Sequence, residues 1–117
     1  MEAIFAGIVL FNPEINRLKE NITHILGQVN QLILVDNGSN NKEEIRSEIQ
    51  NFDTDKIIYI DLHKNIGIAA ALNVIAQSTE NCGVKWVLTL DQDTVCKDDI
   101  IDKYRPYLSM KNVGQFT

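Results

Sequence analysis

The chain alternates two kinds of segment, and that alternation limits its fold more than any other feature. Apolar runs of strand length occur at AIFAGIVLF (3–11), QLILVD (31–36), KIIYID (56–61) and KWVLTLD (85–91). Between them lie stretches with apolar residues at helical spacing. In NPEINRLKENITHILGQV the stripe is Ile15, Leu18, Ile22, Ile25, Leu26 and Val29. In NNKEEIRSEIQNF it is Ile45, Ile49 and Phe52, and in NIGIAAALNVIAQSTE (65–80) it is Leu72, Ile75 and Ala76. Strands that are apolar throughout are buried on both faces, and the helices between them supply the cover. The pattern predicts an α/β fold, a Rossmann-like parallel sheet with helices on both faces. Asn12, followed by Pro13 and Glu14, is the expected N-cap of the first helix. Ser39 or Asn40 is expected to cap the second helix, and Asn65 the third. DDIIDKYRPYL predicts a further helix from Asp98 or Asp99 that Pro106 ends or kinks. NVGQFT (112–117) has the pattern of an opening fifth strand.

A chain of 117 residues suits a single domain, and 44% hydrophobic residues can bury a core. Lys and Arg total 11 against 16 Asp and Glu, a net charge of −5 with no basic run. Nucleic acid, which needs a basic face, is therefore not the expected partner. No apolar stretch approaches the ~20 residues that span a bilayer, and MEAIFAGIVLFNPE lacks the basic start of a secretion signal. A cytoplasmic location is expected. Cys82 and Cys96 form no CxxC pair and read as buried, reduced thiols. His24 and His63 stand alone and are not read as metal ligands.

Right-handed crossovers bring the C-terminal ends of parallel strands to one edge, where open α/β sheets bind ligands. The segments expected there are FNP, DNGS, HKNIGIA and DQDT, the polar and glycine-containing parts of the chain. In DQD, residues i and i+2 of a strand point the same way, roughly 6.6 Å apart. Asp91 and Asp93 can therefore face one ligand while Gln92 faces the other side. Two carboxylates repel a diphosphate unless a hard divalent cation accepts oxygens from both. The other reading of two acids after a strand is a solvated loop or helix cap.

In LILVDNGS, Asp36 stands at a strand end and Gly38 permits a sharp exit. A carboxylate there can accept a hydrogen bond from a base N–H; the same residues can equally serve as structural caps. In NIGIAAALN the small residues Gly67, Ala69, Ala70 and Ala71 let backbone approach a ligand or a neighbouring element closely, and tight helix–sheet packing explains them as well. Neither a dinucleotide-binding glycine fingerprint nor a P-loop is present.

Together IVLFNP, LILVDNGS, NIGIAAALN and LDQD, in this order and spacing, resemble the N-terminal half of family 2 inverting glycosyltransferases of the GT-A fold. FNP and DQD resemble the bacterial rhamnosyltransferase-like branch. The resemblance covers nearly the whole chain and implies that residues 1–117 form the nucleotide-sugar-binding half of such a domain. It implies that Phe11 and Asn12 lie beside the nucleotide base and that Asp36 contacts the base. Asn65, Gly67 and Asn73 would shape the nucleotide pocket, and Asp91 would bind the ribose side. Asp93 would hold the Mg²⁺ or Mn²⁺ that bridges the diphosphate. The implied donor is a nucleotide sugar, typically dTDP-rhamnose in this branch. The implied acceptor is a saccharide or lipid-linked saccharide destined for a bacterial cell-surface polysaccharide, assembled at the inner membrane face.

An inverting transfer also needs a general base, which in this family lies in the C-terminal half. Asp98, Asp99 and Asp102 are too close to DQD to take that role. The expectation is a chain without catalytic residues of its own, inactive alone, that self-associates through an uncovered sheet edge. Two other readings remain open at this level. VLTLDQDTV also fits the opening of a haloacid-dehalogenase-like phosphatase, with Asp91 as nucleophile and Asp93 as acid/base, although that motif belongs on a first strand. A non-catalytic nucleotide-binding α/β module, receiver-like, fits the acids at strand ends but lacks the partner lysine.

Overall fold

A computed structural model of the chain describes residues 3–93. The expected helix from Asp98 or Asp99, the fifth strand at 112–117 and Cys96 lie outside the described residues. Strands β1 (Ile4–Leu10), β2 (Gln31–Asp36), β3 (Ile57–Asp61) and β4 (Trp86–Asp91) form one sheet in the order β3-β2-β1-β4. Every pairing is parallel. Helices α1 (Ile15–Ile25), α2 (Lys42–Asn51) and α3 (Ile68–Asn81) make the connections, with a 3₁₀ turn at Leu26–Gln28 after α1. This is the Rossmann-like α/β architecture that the alternation predicts, and it matches a partial GT-A fold.

Strands β1, β2 and β4 bury both faces while β3, at the edge, is half-buried throughout, and the period of two decides which helix each side chain meets. Ile4, Ala6, Ile8 and Leu10 of β1 join Leu32, Leu34, Leu88 and Leu90 against Leu18, Ile22 and Ile25 of α1 and Ile45 of α2. Phe5, Ile33, Val35 and Val87 point the opposite way, onto Ala71 and Ile75 of α3. The distribution of helices follows from the strand order. From β1 to β3 the chain steps in one direction, so right-handed crossovers put α1 and α2 on one face; from β3 to β4 it steps back past β1, which puts α3 on the other. Gly7 lets α3 lie close: a Cβ there would sit 2.4 Å from Ile75 Cγ2.

The reversal of direction falls between β1 and β4, the topological switch point where open sheets part at their C-terminal edge. Among the described residues no helix is long and apolar enough to cross a membrane.

The helix caps differ from those expected. The N-cap of α1 is Glu14, whose side chain accepts from the Arg17 N–H at 2.7 Å, and not Asn12. Asn41 stands at the N-cap of α2 in place of Ser39 or Asn40, and Gly67 at that of α3 in place of Asn65. Asn12, Ser39 and Asn65 are committed instead to bonds between loops. Cys82, expected inside, is exposed at the C-cap of α3.

Candidate functional site

At the C-terminal edge the backbone ladders run out, and polar side chains continue the connections between neighbouring strands. Between the loops after β1 and β2, the Asn12 N–H donates to Ser39 Oγ at 2.9 Å, and Asn12 Oδ1 accepts from the Asn40 N–H at 2.7 Å. Asn12 holds this position with φ 47°, a left-handed conformation asparagine tolerates better than most residues. Between the loops after β2 and β3, Asn37 Oδ1 accepts from the Ile66 N–H at 2.9 Å, and Asn37 Nδ2 donates to Asn65 Oδ1 at 3.2 Å. Asn65 Oδ1 also accepts from the Gly67 N–H at 2.8 Å. Between the loops after β4 and β1, Gln92 bonds both backbone groups of Phe11. FNP, DNGS, HKNIG and DQD thus form one continuous rim, as the sequence predicts.

Asp36 lies beneath that rim, fully buried at 0% exposure. Its Oδ1 accepts from the Ser39 N–H at 2.8 Å and its Oδ2 from the Tyr59 hydroxyl. Burial, together with the hydrogen bond to the Asp36 carboxylate and its charge, pushes the Tyr59 phenol well above its ordinary range. Beside this pair, Asp61 meets Lys42 at 3.1 Å and Arg46 at 3.3 Å. Burial alone would raise the Asp61 carboxyl, but the His63 N–H and the Lys42 ammonium outweigh it and hold it below the ordinary value. Arg46 also lies over the Tyr59 ring, 5.6 Å from its centre.

Asp91 faces the opposite side of the sheet from Asp36, toward α3. It borders a cavity of about 220 Å³ at the switch point, between Val9 and Thr89 on the strands and Ile68 and Leu72 on α3. Thr89 is 1% exposed, and its Oγ1 has no hydrogen-bond partner. A buried hydroxyl left so is costly; the oxygen lies beneath the surface of the cavity wall. Ile68 begins α3, so the positive end of that helix also borders the cavity.

Asp91 and Gln92 of the DQD turn line this cavity, and Asp91 and Asp93 are both exposed. The Asp93 N–H donates to Asp91 Oδ1 at 3.1 Å. From α1, Asn21 Nδ2 donates to the Gln92 carbonyl at 3.1 Å and Arg17 Nη1 to the Asp93 carbonyl at 2.8 Å. Among the described residues no three His, Cys, Asp or Glu side chains cluster to hold a metal. A cation of the magnesium type does not need such a cage, since it binds through one or two carboxylates plus substrate phosphates and water. Two exposed carboxylates on one turn fit that requirement.

Of the residues singled out from sequence, Phe11 (45% exposed), Asn12, Asn65, Gly67, Asp91 and Asp93 stand on the rim. Asn73 does not border the cavity; it lines a separate hollow on α3 with Val74, Gln77 and Ser78. Sequence reasoning passed over Arg17, Asn21, Tyr59, Thr89 and Gln92. Two of these left a signal: Thr89 is a hydroxyl inside an apolar strand, and Asn21 is an amide beside the apolar stripe of α1.

Residues 6–109 match the family described as glycosyl transferase family 2. The chain belongs to glycosyl transferase family 2. Members of this family typically use a divalent metal. Among curated proteins, this family 2 chain is similar to the dTDP-rhamnosyl transferase RfbF of Shigella flexneri, with 30% identity over 109 residues. That match covers 93% of this chain and 36% of RfbF, so the chain spans about a third of its relative's length. A sugar donor and an acceptor are the substrates that a glycosyltransferase implies.

Proposed function

We propose that this chain is the donor-binding half of a glycosyltransferase, taking a nucleoside diphosphate sugar and a Mg²⁺ or Mn²⁺ ion at the β1–β4 edge. The observation that supports this most is the exposed acid pair itself, with Asp91 lining the switch-point cavity and Asp93 two residues on in the same turn. Asp93 holds the metal, and Asp91 serves the ribose side above the Thr89 hydroxyl. The bound cation supplies charge neutralisation for the departing nucleoside diphosphate. Phe11 and Asn12 flank the base, and Asn65 and Gly67 shape the pocket from the α3 side. Asn73 belongs with the same segment one to two turns further along α3. Asp36 stands at the base end behind Ser39 and Tyr59, and a bond from its carboxylate to a base N–H requires one of those two donors to give way.

The similarity to a dTDP-rhamnosyl transferase favours a thymidine donor such as dTDP-rhamnose. The acceptor in this reading is a saccharide or lipid-linked saccharide, with transfer on the cytoplasmic side, at the inner membrane face. No residue of this chain is assigned the general base, and the role proposed for the chain is donor-nucleotide binding. Calorimetry with dTDP and UDP, each with and without Mn²⁺, tests the proposal on wild type and Asp93→Ala. Metal-dependent binding in wild type that the substitution abolishes is the expected result. Binding that ignores both the metal and the substitution would overturn the assignment of Asp93.

A further inference from the structure

We propose that Gln92 is a positioning residue: its side-chain amide takes the place of the next peptide of β4 and so fixes where Asp91 and Asp93 point. The inference rests on the donor-site reading of that acid pair. The β1–β4 ladder ends at the pairing of Val9 with Asp91, after which the main chain turns away at Gln92 and Asp93. Phe11 then has no peptide of β4 opposite it. Gln92 fills that place: its Oε1 accepts from the Phe11 N–H at 2.9 Å, and its Nε2 donates to the Phe11 carbonyl at 3.0 Å. A primary amide carries one carbonyl acceptor and N–H donors on a planar unit, the same groups a peptide offers. Glutamate lacks the donor when ionised, methionine lacks both groups, and asparagine is a methylene too short.

The main chain of the turn is gripped from the same side. Asn21 and Arg17, one helical turn apart on α1, bond the Gln92 and Asp93 carbonyls at 3.1 and 2.8 Å. The side chain and the carbonyl of the middle residue are both held toward β1 and α1, and Asp91 lies on the α3 side. Asp91 and Asp93 repel each other, and without that grip their carboxylates would spread apart. Holding two like charges in place before a cation arrives is preorganisation, achieved by hydrogen bonds from amide groups and the Arg17 guanidinium that touch neither metal nor nucleotide.

The test compares wild type with Gln92→Met, which keeps stem length and volume and removes both hydrogen-bonding groups. Gln92→Asn, which keeps the amide and shortens the stem, is the second variant and carries the same measurements if the first does not fold. Calorimetry measures dTDP affinity with and without Mn²⁺, and amide hydrogen exchange by NMR measures protection of the Phe11 N–H. Expected is a fall of about tenfold or more in the affinity gained from Mn²⁺, with metal-free affinity within about twofold of wild type. Phe11 exchange should accelerate while amides at the centre of β1 and β2 stay protected. A purely structural role would weaken binding equally with and without metal, and that result overturns the proposal, as does an unchanged Mn²⁺ gain. Wild type that binds neither dTDP nor UDP with Mn²⁺ ends the donor-site reading and this inference with it. Wild type that binds while the variants bind as well ends the inference alone.

Discussion

Gly38 is where two rim loops touch backbone to backbone, and replacing it with alanine tests how tightly the rim is built. Its φ is +86°, and a Cβ there would lie 2.6 Å from the Asn65 nitrogen and 2.7 Å from the Lys64 carbonyl carbon. Neither atom belongs to a side chain that can rotate aside. The left-handed conformation costs an L-residue about 1–2 kcal/mol, and overpacking adds about 1–3 kcal/mol, so Gly38→Ala should lose roughly 2–5 kcal/mol. Gly83 supplies the control. Its φ is +74°, yet nothing lies within 4 Å of a Cβ there, so Gly83→Ala should lose only the conformational part, about 1–2 kcal/mol. Domains of this size hold about 5–15 kcal/mol, so both variants should fold at low temperature. Urea denaturation followed by far-UV circular dichroism gives the two losses, with equal slopes showing that both states are otherwise alike. If the two substitutions cost the same, the loops do not press on each other as described. Gly38→Ala should also weaken nucleotide binding, because displacing Lys64 and Asn65 breaks the Asn37–Asn65 bond.

Two further outcomes are expected. The raised Tyr59 phenol favours the protonated form in the folded chain, so the stability it contributes is fully present below the ordinary phenol value of about 10 and is lost as pH rises beyond it. Thermal midpoints should therefore fall between about pH 10 and 11, more steeply in wild type than in Tyr59→Phe; parallel curves would refute the Tyr59–Asp36 bond. Thr89→Val replaces a buried hydroxyl without a partner by a methyl group of the same shape, so the chain should gain on the order of 1 kcal/mol in urea denaturation.

The strands were legible to within a residue or two because a parallel sheet covered on both faces demands continuous apolar runs, which leave few other readings. The gathering of FNP, DNGS, HKNIG and DQD at one edge followed from the same topology. The caps were misread for a physical reason. Asn12, Ser39 and Asn65 have the short polar side chains that suit a helix start, but the same chemistry serves a bond to a neighbouring loop. Only the spatial order β3-β2-β1-β4 decides between the two. Gln92 was hidden more deeply, since its partner Phe11 lies 81 residues away and no local pattern marks the pairing. For Asp91 and Asp93, spacing alone left a solvated loop, a phosphatase nucleophile and a metal-assisted site open. The family match removes the phosphatase reading; the metal-assisted role of the pair is our proposal.

The rim separates two classes of polar residue. Asn12, Ser39, Asn37, Asn65 and Gln92 each join one strand's loop to the next, so they continue the sheet by side-chain bonds where the backbone ladder has stopped. Substituting Asn12, Ser39, Asn37 or Asn65 should lower stability and nucleotide affinity together, because the same bond serves both. Asp93 stands apart. Its carboxylate is exposed on the turn, and the bonds that hold the turn use its backbone N–H and carbonyl rather than its side chain. Asp93→Ala should therefore leave stability within about 0.5 kcal/mol of wild type while removing metal-dependent binding. A large loss of stability in that variant would mean that the carboxylate holds the turn together, and the case for it as a metal ligand would lose its physical basis.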